Sequence, residues 1–137
     1  MKRNEPVSHL MTKSPVTSHV AEPLSAIRKK MVDHRFHHMP IVQGDQLVGM
    51  LSSTDLLRVS YDYGQDPRHT DVVLDHTHKV EDLMTTRVVS VDSKTSIREA
   101  TEILAEGQFH ALPVVDNGKL VGILTTTDLL RYLLQQY

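Results

Sequence analysis

Two short stretches of the sequence carry hydroxyl and carboxylate side chains at the same spacing, a pattern suited to holding a sugar or a phosphate. The two sets lie 73 positions apart and consist of Ser52, Thr54 and Asp55, and of Thr125, Thr127 and Asp128. An ionised carboxylate only accepts hydrogen bonds and has two oxygens, so Asp55 or Asp128 can receive both hydroxyls of a ribose diol. The neighbouring hydroxyl groups can reach the sugar or a phosphate.

The same residues have an ordinary structural role at the start of a helix. Threonine or aspartate there commonly acts as the N-cap, which is worth about 1 kcal/mol without any ligand. A helix that begins here also offers unpaired N–H groups and the positive end of its dipole, which favour an anion. Capping and ligand binding are compatible, because a cap uses one carboxylate oxygen. Both roles stay open on the sequence alone.

The two sets belong to an internal duplication. The stretch Leu47–Arg58 matches Leu120–Arg131 at nine of twelve positions. The match extends without a gap over Val7–Arg58 and Val80–Arg131, where 18 of 52 pairs are identical. We expect the domains to follow this duplication, with a first repeat over 7–60, a linker over 61–79 and a second repeat over 80–135.

Each repeat predicts the same order of elements, which is strand, helix, strand, hairpin strand and helix. In the second repeat, Thr95 or Ser96 can cap a helix that Gly107 ends. In the first repeat, Pro23 suits the first turn of the matching helix. The apolar stripes of the two helices are Leu24, Ile27 and Met31, and Ile97, Ala100, Ile103 and Leu104.

A hairpin turn separates the two apolar strands that follow in each repeat. The turn residues are Gly44 and Asp45 in the first repeat, and Asp116, Asn117 and Gly118 in the second. One repeat alone has too little core to fold with confidence. We therefore expect both repeats to fuse into one α+β unit.

Composition excludes several functional classes. The chain has 137 residues, a net charge of −2, 4% aromatic residues and no cysteine. The charge and the few aromatic residues argue against nucleic-acid binding, and the lack of cysteine excludes disulfides, thiolate metal sites and cysteine nucleophiles. No apolar run suits a signal peptide or a membrane span, so we expect a soluble, cytoplasmic protein. The nine histidines show no metal-site spacing, and we expect no metal.

Taken together, the motifs resemble tandem cystathionine-β-synthase (CBS) domains, the pair called a Bateman module. The resemblance rests on a [Met/Leu]-Pro-[Ile/Val]-Val strand, a hairpin, and the motif Gly-x-x-[Ser/Thr]-x-x-Asp. That motif occurs as Gly49, Ser52 and Asp55, and again as Gly122, Thr125 and Asp128. The resemblance covers nearly the whole chain. It implies an α+β fold with two β-α-β-β-α CBS repeats, related by pseudo-twofold symmetry and packed into one module.

The family resemblance also implies a function. Many such pairs bind an adenosine nucleotide or another adenosyl compound in clefts between their two repeats, and they regulate a partner rather than catalyse a reaction. We therefore expect a stand-alone regulatory protein that senses AMP, ADP, ATP or S-adenosylmethionine, requires no cofactor, forms a homodimer and signals to an effector protein. A structural homodimerisation module without ligand binding is the alternative. A hydrolase that pairs Asp55 with Asp128 is a third, weaker interpretation.

By resemblance, the adenine would lie against the first strand and the strand that contains the proline in each repeat. The residues placed at the ligand are Val16, Thr17, His38, Met39 and Pro40 in the first repeat, and Val89, Ser90, Ala111, Leu112 and Pro113 in the second. From the residues alone, most of these side chains belong to the edge of a core. Under the resemblance, only their backbone amides would contact the base. Because His38 corresponds to the smaller Ala111, the two sites need not be equal.

The last helix has an apolar stripe that is wide for a small domain. Its members are Leu129, Leu130, Leu133, Leu134 and Tyr137. Ordinary packing against the sheet of its own repeat explains such a stripe. Burial of part of it against a homodimer partner is the alternative.

Overall fold

The computed structural model describes residues 4–60, 75–107 and 110–137. These residues form a mixed α+β fold, as expected, and cluster into two compact units. The first-repeat unit comprises Val16–Val88, and the second-repeat unit comprises Met1–Pro15 with Val89–Tyr137. Most of the expected linker, residues 61–74, lies outside the described residues. In the described part of the chain, no helix is both long enough and apolar enough to cross a membrane.

The regular elements largely follow the expected order. In chain order they are a 3₁₀ turn Val7–His9, β1 Thr12–Lys13, β2 Ser18–His19, α1 Leu24–His34, β3 His38–Gln43, β4 Gln46–Ser52, α2 Ser53–Ser60, α3 Val80–Leu83, α4 Ile97–Glu106, β5 Ala111–Asp116, β6 Lys119–Thr125 and α5 Thr126–Gln135. The strand expected at the start of the second repeat is reduced to one parallel bridge between Val91 and Val114. A turn follows that bridge at once, because the Thr95 N–H donates to the Asp92 carbonyl at 3.2 Å.

Three strands, β2, β3 and β4, pair with one another in the first-repeat unit. Strand β2 runs parallel to β3, and β3 pairs antiparallel with β4. The core consists of Leu24, Ile27, Met31, Met39, Ile41, Leu51, Leu56 and Val80. The stripe predicted for α1 is confirmed, because its three members are the buried residues of that helix.

The second-repeat unit contains the matching hairpin and one more strand pair. Strand β5 pairs antiparallel with β6, and β6 pairs antiparallel with β1. The core consists of Val7, Val91, Ile97, Ala100, Leu104, Leu112, Val114, Leu124 and Tyr132. The stripe predicted for α4 lies against this core, with Ile103 partly buried at its edge.

The compact units differ from the sequence repeats, because each contains the opening segment of the other repeat. Val7, from the start of the first repeat, is fully buried in the second-repeat unit, where its N–H donates to the Thr95 carbonyl at 2.8 Å. Val80, from the start of the second repeat, is buried in the first-repeat unit. Neither sequence repeat therefore closes its core with its own residues alone.

Two glycines at equivalent positions of the repeats admit these opening segments. A Cβ on Gly49 would overlap the Met84 side chain, with Met84 Cγ at 2.8 Å. A Cβ on Gly122 would lie 2.5 Å from Met11 Sδ and 3.0 Å from the Thr12 carbonyl oxygen. The glycine of each Gly-x-x-[Ser/Thr]-x-x-Asp motif thus leaves room for a methionine from the opening segment of the other repeat.

Helix α1 begins one residue later than expected and has a distant cap. Pro23 is the N-cap residue with extended backbone, not a residue of the first turn, and its side chain forms no cap hydrogen bond. Asp75, fifty residues away, takes that role, because the Ser25 N–H and hydroxyl donate to its two oxygens at 2.9 and 2.5 Å. The helix ends at His34, and its C-cap residue Arg35 adopts the left-handed conformation with φ 57°.

Local signals of the second repeat act as expected. Of the two candidate caps for α4, Ser96 is the one used, since its Oγ accepts the Glu99 N–H at 3.1 Å. Gly107 is the C-cap of that helix. Asn117 and Gly118 both have positive φ, 52° and 81°, which is the signature of a two-residue type I′ hairpin turn.

A lysine on α1 anchors the strand that precedes it. Lys30 Nζ donates to the Thr17 carbonyl at 3.0 Å, to Ser18 Oγ at 3.2 Å and to Glu22 at 3.0 Å. Burial raises the pKa of Glu22, but hydrogen bonds from the His19 N–H and from Lys30 outweigh burial and hold that pKa below its ordinary value. The short β2 segment is therefore fixed to α1 by a cation.

Replacement of the two motif glycines should distinguish a backbone clash from a side-chain clash. We expect Gly122→Ala to cost about 1–3 kcal/mol of unfolding free energy, because its Cβ would meet the immobile Thr12 carbonyl. Gly49→Ala should cost less, because only the flexible Met84 side chain must move. Urea unfolding of both variants measures the difference, and an equal or larger loss for Gly49→Ala would contradict it.

The lysine anchor should contribute pH-dependent stability. The folded-state pKa of Glu22 is depressed, so its contribution is present above the ordinary value of 4.5 and is lost as pH falls through the folded pKa. We expect Lys30→Met to lower the unfolding free energy near neutral pH by about 0.5–1 kcal/mol through this partly exposed pair. At pH values below the folded-state pKa of Glu22, the unfolding free energies of Lys30→Met and the original chain should differ less. Lys13→Met, at an exposed position, should change neither the unfolding free energy nor its dependence on pH. If the loss of unfolding free energy in Lys30→Met did not change with pH, Glu22 would not contribute to it.

Candidate functional site

The first set of candidate residues lies where β4 ends and α2 begins. No residue separates the strand, which ends at Ser52, from the helix, which begins at Ser53. The Ser53 N–H donates to the His37 carbonyl at 2.9 Å, which holds the first turn of α2 beside the start of β3. His38, the first residue of β3, is the antiparallel partner of Ser52. The junction therefore brings His38 and Ser52 to the start of α2.

The second set occupies the same junction in the second-repeat unit. Strand β6 ends at Thr125 and α5 begins at Thr126. The Thr126 N–H donates to the His110 carbonyl at 3.0 Å, and Ala111 is the antiparallel partner of Thr125. Each repeat thus places a strand end, a strand start and a helix N-terminus at one point.

Reciprocal hydrogen bonds fix both aspartates at these junctions. The Ser52 N–H donates to Asp55 Oδ2 at 2.9 Å, and the Asp55 N–H donates to Ser52 Oγ at 3.1 Å. The Thr125 N–H donates to Asp128 Oδ2 at 3.0 Å, and the Asp128 N–H donates to Thr125 Oγ1 at 3.1 Å. Both aspartates therefore have the capping role, in the two-way form called a capping box.

The capping box leaves acceptor capacity on each carboxylate. Among the described residues, the second oxygen, Oδ1, of Asp55 and of Asp128 accepts no hydrogen bond. A carboxylate has about four acceptor positions, of which the cap uses one. Asp55 is half-buried, whereas Asp128 is only 9% exposed. Either group can accept a sugar hydroxyl, and Asp55 is the more accessible of the two.

The two residues before β2, Val16 and Thr17, lie at the same end of the first sheet. Because β2 is parallel to β3 with Ser18 opposite Ile41, the residues before Ser18 lie beside the first half of β3. The Thr17 carbonyl accepts a hydrogen bond from Lys30, so this carbonyl is already engaged. The structure thus brings the first-repeat candidates together at one end of their sheet.

The second-repeat unit has the corresponding arrangement without the lysine. Val91 bridges to Val114 in parallel, so Val89 and Ser90 lie beside the first half of β5. The Val91 N–H donates to the Pro113 carbonyl at 3.1 Å. The residue equivalent to Lys30 is apolar here (Ile103), so the two strand segments are held by different contacts.

Burial differs among the candidates, and those that are neither strand-buried nor exposed are half-buried, apart from the buried Asp128. The strand side chains are buried, and they belong to Met39, Pro40, Ala111, Leu112 and Pro113. The exposed candidates are Val16, Thr54, Val89, Ser90 and Thr127. The buried side chains fill the core and offer a ligand no surface, which fits the interpretation that only backbone groups of these strands would contact a base.

Lys30 is the polar residue that sequence reasoning missed at this end of the sheet. The equivalent position of the second repeat holds Ile103, so Lys30 is not part of the repeated pattern and the duplication does not indicate it. Within the described ranges, no group of three or more His, Cys, Asp or Glu residues is placed to hold a metal ion. The candidate site contains hydroxyls, carboxylates and helix N-termini, with Lys30 beside it in the first repeat.

Comparison with protein families gives two matches to one model. The model described as the CBS domain matches residues 7–62 and 80–135. CBSX1, a chloroplastic CBS domain-containing protein of Arabidopsis thaliana, is 32% identical over 152 residues, covering 94% of this chain and 64% of that protein. A CBS domain-containing protein of Dictyostelium discoideum is 29% identical over 133 residues, covering 94% of this chain and 91% of that protein.

One further relative is much longer than this chain. The protein MJ1225 of Methanocaldococcus jannaschii is 29% identical over 132 residues, which are 94% of this chain and 47% of that protein. The chain thus spans about half of MJ1225 and just under two thirds of CBSX1.

Solved structures give the same result for the fold. The crystal structure of the CBS-pair protein CBSX2 from Arabidopsis thaliana has a TM-score of 0.83 at 27% identity, covering 97% of this chain and 96% of that one. A structure of CBSX2 in complex with AMP has a TM-score of 0.82 at 28% identity, covering 96% and 98%. With both repeats matched by the family model, this chain belongs to the CBS domain family and carries two CBS domains.

Proposed function

We propose that this chain is a regulatory module that binds an adenosine nucleotide or another adenosyl compound and transmits the bound state to a partner protein. The observation that carries the proposal is the aspartate fixed at a strand-to-helix junction in both repeats, by hydrogen bonds of 2.9–3.1 Å. The AMP complex of CBSX2, at 28% identity over 96% of this chain, supports the ligand class.

The ribose is the part of the ligand that these aspartates recognise. The cap holds Oδ2 of each carboxylate, so Oδ1 has a fixed direction before any ligand arrives. Two adjacent hydroxyls of a ribose can then donate to one carboxylate, which only accepts. Thr54 and Thr127 are exposed on the first turns of α2 and α5, where their hydroxyls and the helix N-termini favour a phosphate.

The adenine would contact backbone groups of the neighbouring strands. The side chains of Met39 and Leu112 are fully buried and cannot turn towards a ligand without opening the core. Val16 and Val89 are exposed by 37% and 47%, and they offer apolar surface to a base. His38 against Ala111 makes the first site narrower and more polar than the second.

Regulation follows if the ligand binds two arrangements of the protein with different affinity. A ligand with equal affinity for both would shift nothing, however tightly it binds. The adenosyl compound acts in this proposal as a signal rather than a substrate, and the residues around it bind and orient it. The partner protein reads the arrangement that the ligand favours.

A homodimer is part of the proposal. Leu57 on α2 and Leu130 on α5 are 62% and 61% exposed. Contiguous apolar side chains that remain exposed commonly mark a protein interface. A second copy of the chain would bury them.

Ligand binding is tested by a thermal-shift panel with AMP, ADP, ATP and S-adenosylmethionine. A ligand at one hundred times its dissociation constant adds about 2.7 kcal/mol of stability, which raises Tm by several degrees. We expect at least one adenosyl compound to give this shift. Asp55→Ala or Asp128→Ala should reduce it strongly, because the diol loses its acceptor, and isothermal titration then gives the change in Kd.

Both aspartate variants also lose a helix cap, so a control with the same structural loss is required. Ser96→Ala removes the cap of α4, which lies outside the proposed site, and should also cost about 1 kcal/mol. We expect it to lower Tm without changing the ligand-induced shift. A panel without any shift in a folded protein would favour the structural homodimerisation module, and unchanged binding in both aspartate variants would remove the ribose contact.

A further inference from the structure

Two methionines hold the exchanged opening segments against the motif glycines. Met84 packs against the core of the first-repeat unit and lies over Gly49, where its Cγ, Sδ and Cε atoms approach the position of a Cβ. Met11 packs against the core of the second-repeat unit and lies over Gly122, with Sδ and Cγ in the same place. Both glycines are buried, whereas both methionines are half-buried. Each methionine is thus packed tightly against backbone and still partly exposed to solvent.

The backbone beside each methionine pairs only briefly with the strand that carries the glycine. In the first-repeat unit, the Thr85 N–H and carbonyl exchange hydrogen bonds of 2.9 Å with the carbonyl and N–H of Met50, the residue after Gly49. In the second-repeat unit, the two residues of β1 pair antiparallel with β6. The methionine therefore adds side-chain packing at a point where the ladder of backbone hydrogen bonds is short.

The space between each methionine and its glycine has no room for a further atom. A Cβ on Gly122 would lie 2.5 Å from Met11 Sδ, and a Cβ on Gly49 would lie 2.8 Å from Met84 Cγ. Oxidation to the sulfoxide adds one oxygen to Sδ and makes an apolar side chain polar. A buried S=O group without a hydrogen-bond partner costs free energy. Because the oxidised side chain finds its partners in water, oxidation favours its departure from the glycine.

We infer that Met84 and Met11 are modification sites for hydrogen peroxide, and that the sulfoxide releases the opening segment that each methionine holds. The sulfur lone pair attacks one peroxide oxygen, the O–O bond breaks and an S=O bond forms. The thioether thereby loses two electrons, and the peroxide is reduced to water. A methionine sulfoxide reductase reverses the change with the two electrons of a dithiol, which leaves a disulfide and water. The modification acts on the closure of each core and is independent of the proposed ligand.

Burial distinguishes these two methionines from the others in the described part of the chain. Met31 and Met39 are 4% and 0% exposed, so peroxide reaches them only when a core opens. Met50 is half-buried like Met11 and Met84, but its side chain belongs to neither core cluster. Its hydrogen bonds to Thr85 use backbone atoms alone. Met50 is therefore a matched control, whose oxidation should release neither segment.

Peptide mass spectrometry after treatment with hydrogen peroxide locates the sulfoxides, and hydrogen exchange of the same sample reports release. We expect Met11 and Met84 to be oxidised before Met31 and Met39. Amide exchange over residues 7–13 and 80–86 should become faster by about tenfold, because these segments then open locally. Sulfoxide at both positions without faster exchange in either segment would overturn the inference. Oxidation of Met31 and Met39 at the same rate would also overturn it.

Leucine variants give each segment its own control, since leucine has nearly the volume of methionine and no sulfur to oxidise. In Met84→Leu, peroxide should leave the exchange of residues 80–86 unchanged, while residues 7–13 still respond. Met11→Leu should give the reverse result, and Met50→Leu should respond like the original chain in both segments. If a segment without its methionine opened as much as in the original chain, another residue would cause the release and the inference would fail.

Enzymatic reduction tests the original chain without any substitution, so it also serves where a leucine variant folds poorly. The oxidised chain is treated with dithiothreitol and the methionine sulfoxide reductases for both sulfoxide epimers. We expect both segments to recover their slow exchange as the sulfoxide disappears from the mass spectrum. Segments that stay open after complete reduction would show that peroxide unfolds the chain by another route, which would contradict the inference.

Discussion

The structure depends on a reciprocal pair of hydrogen bonds, a capping box, at each strand-to-helix junction. Ser52 and Asp55 in the first repeat, and Thr125 and Asp128 in the second, exchange a backbone and a side-chain hydrogen bond. This exchange turns the last residue of a strand directly into the N-cap of a helix, with no loop between them. The turn also fixes the direction of the aspartate, so the interaction that ends the strand creates the candidate site.

A second constraint is the small core of one repeat. The first-repeat unit buries Val80, and the second-repeat unit buries Val7, so each closes its core with a segment from the other repeat. The glycines that begin the two aspartate motifs, Gly49 and Gly122, leave the space for these segments. Loss of one opening segment would therefore expose the core of the unit formed mainly by the opposite repeat.

The sequence predicted what neighbouring residues determine and missed what distant residues determine. The Ser96 cap, the turn at Asn117 and the apolar stripes follow from spacings of one to four residues, and all were predicted. The Asp75 cap of α1, fifty residues from Ser25, has no local signal. The left-handed Arg35 and the exchanged opening segments had none either. The candidate aspartates were found because they are duplicated, and Lys30 was missed because Ile103 stands at its equivalent position.

Duplication preserved the interior and allowed the surfaces to diverge. The paired residues of the capping boxes keep the same chemistry, because a change there would destabilise the start of a helix. Solvent-facing positions carry no such constraint, and Lys29 against Glu102 reverses the charge at one of them. Such exposed positions can give the two repeats surfaces of different charge without any change to the cores or to the capping boxes.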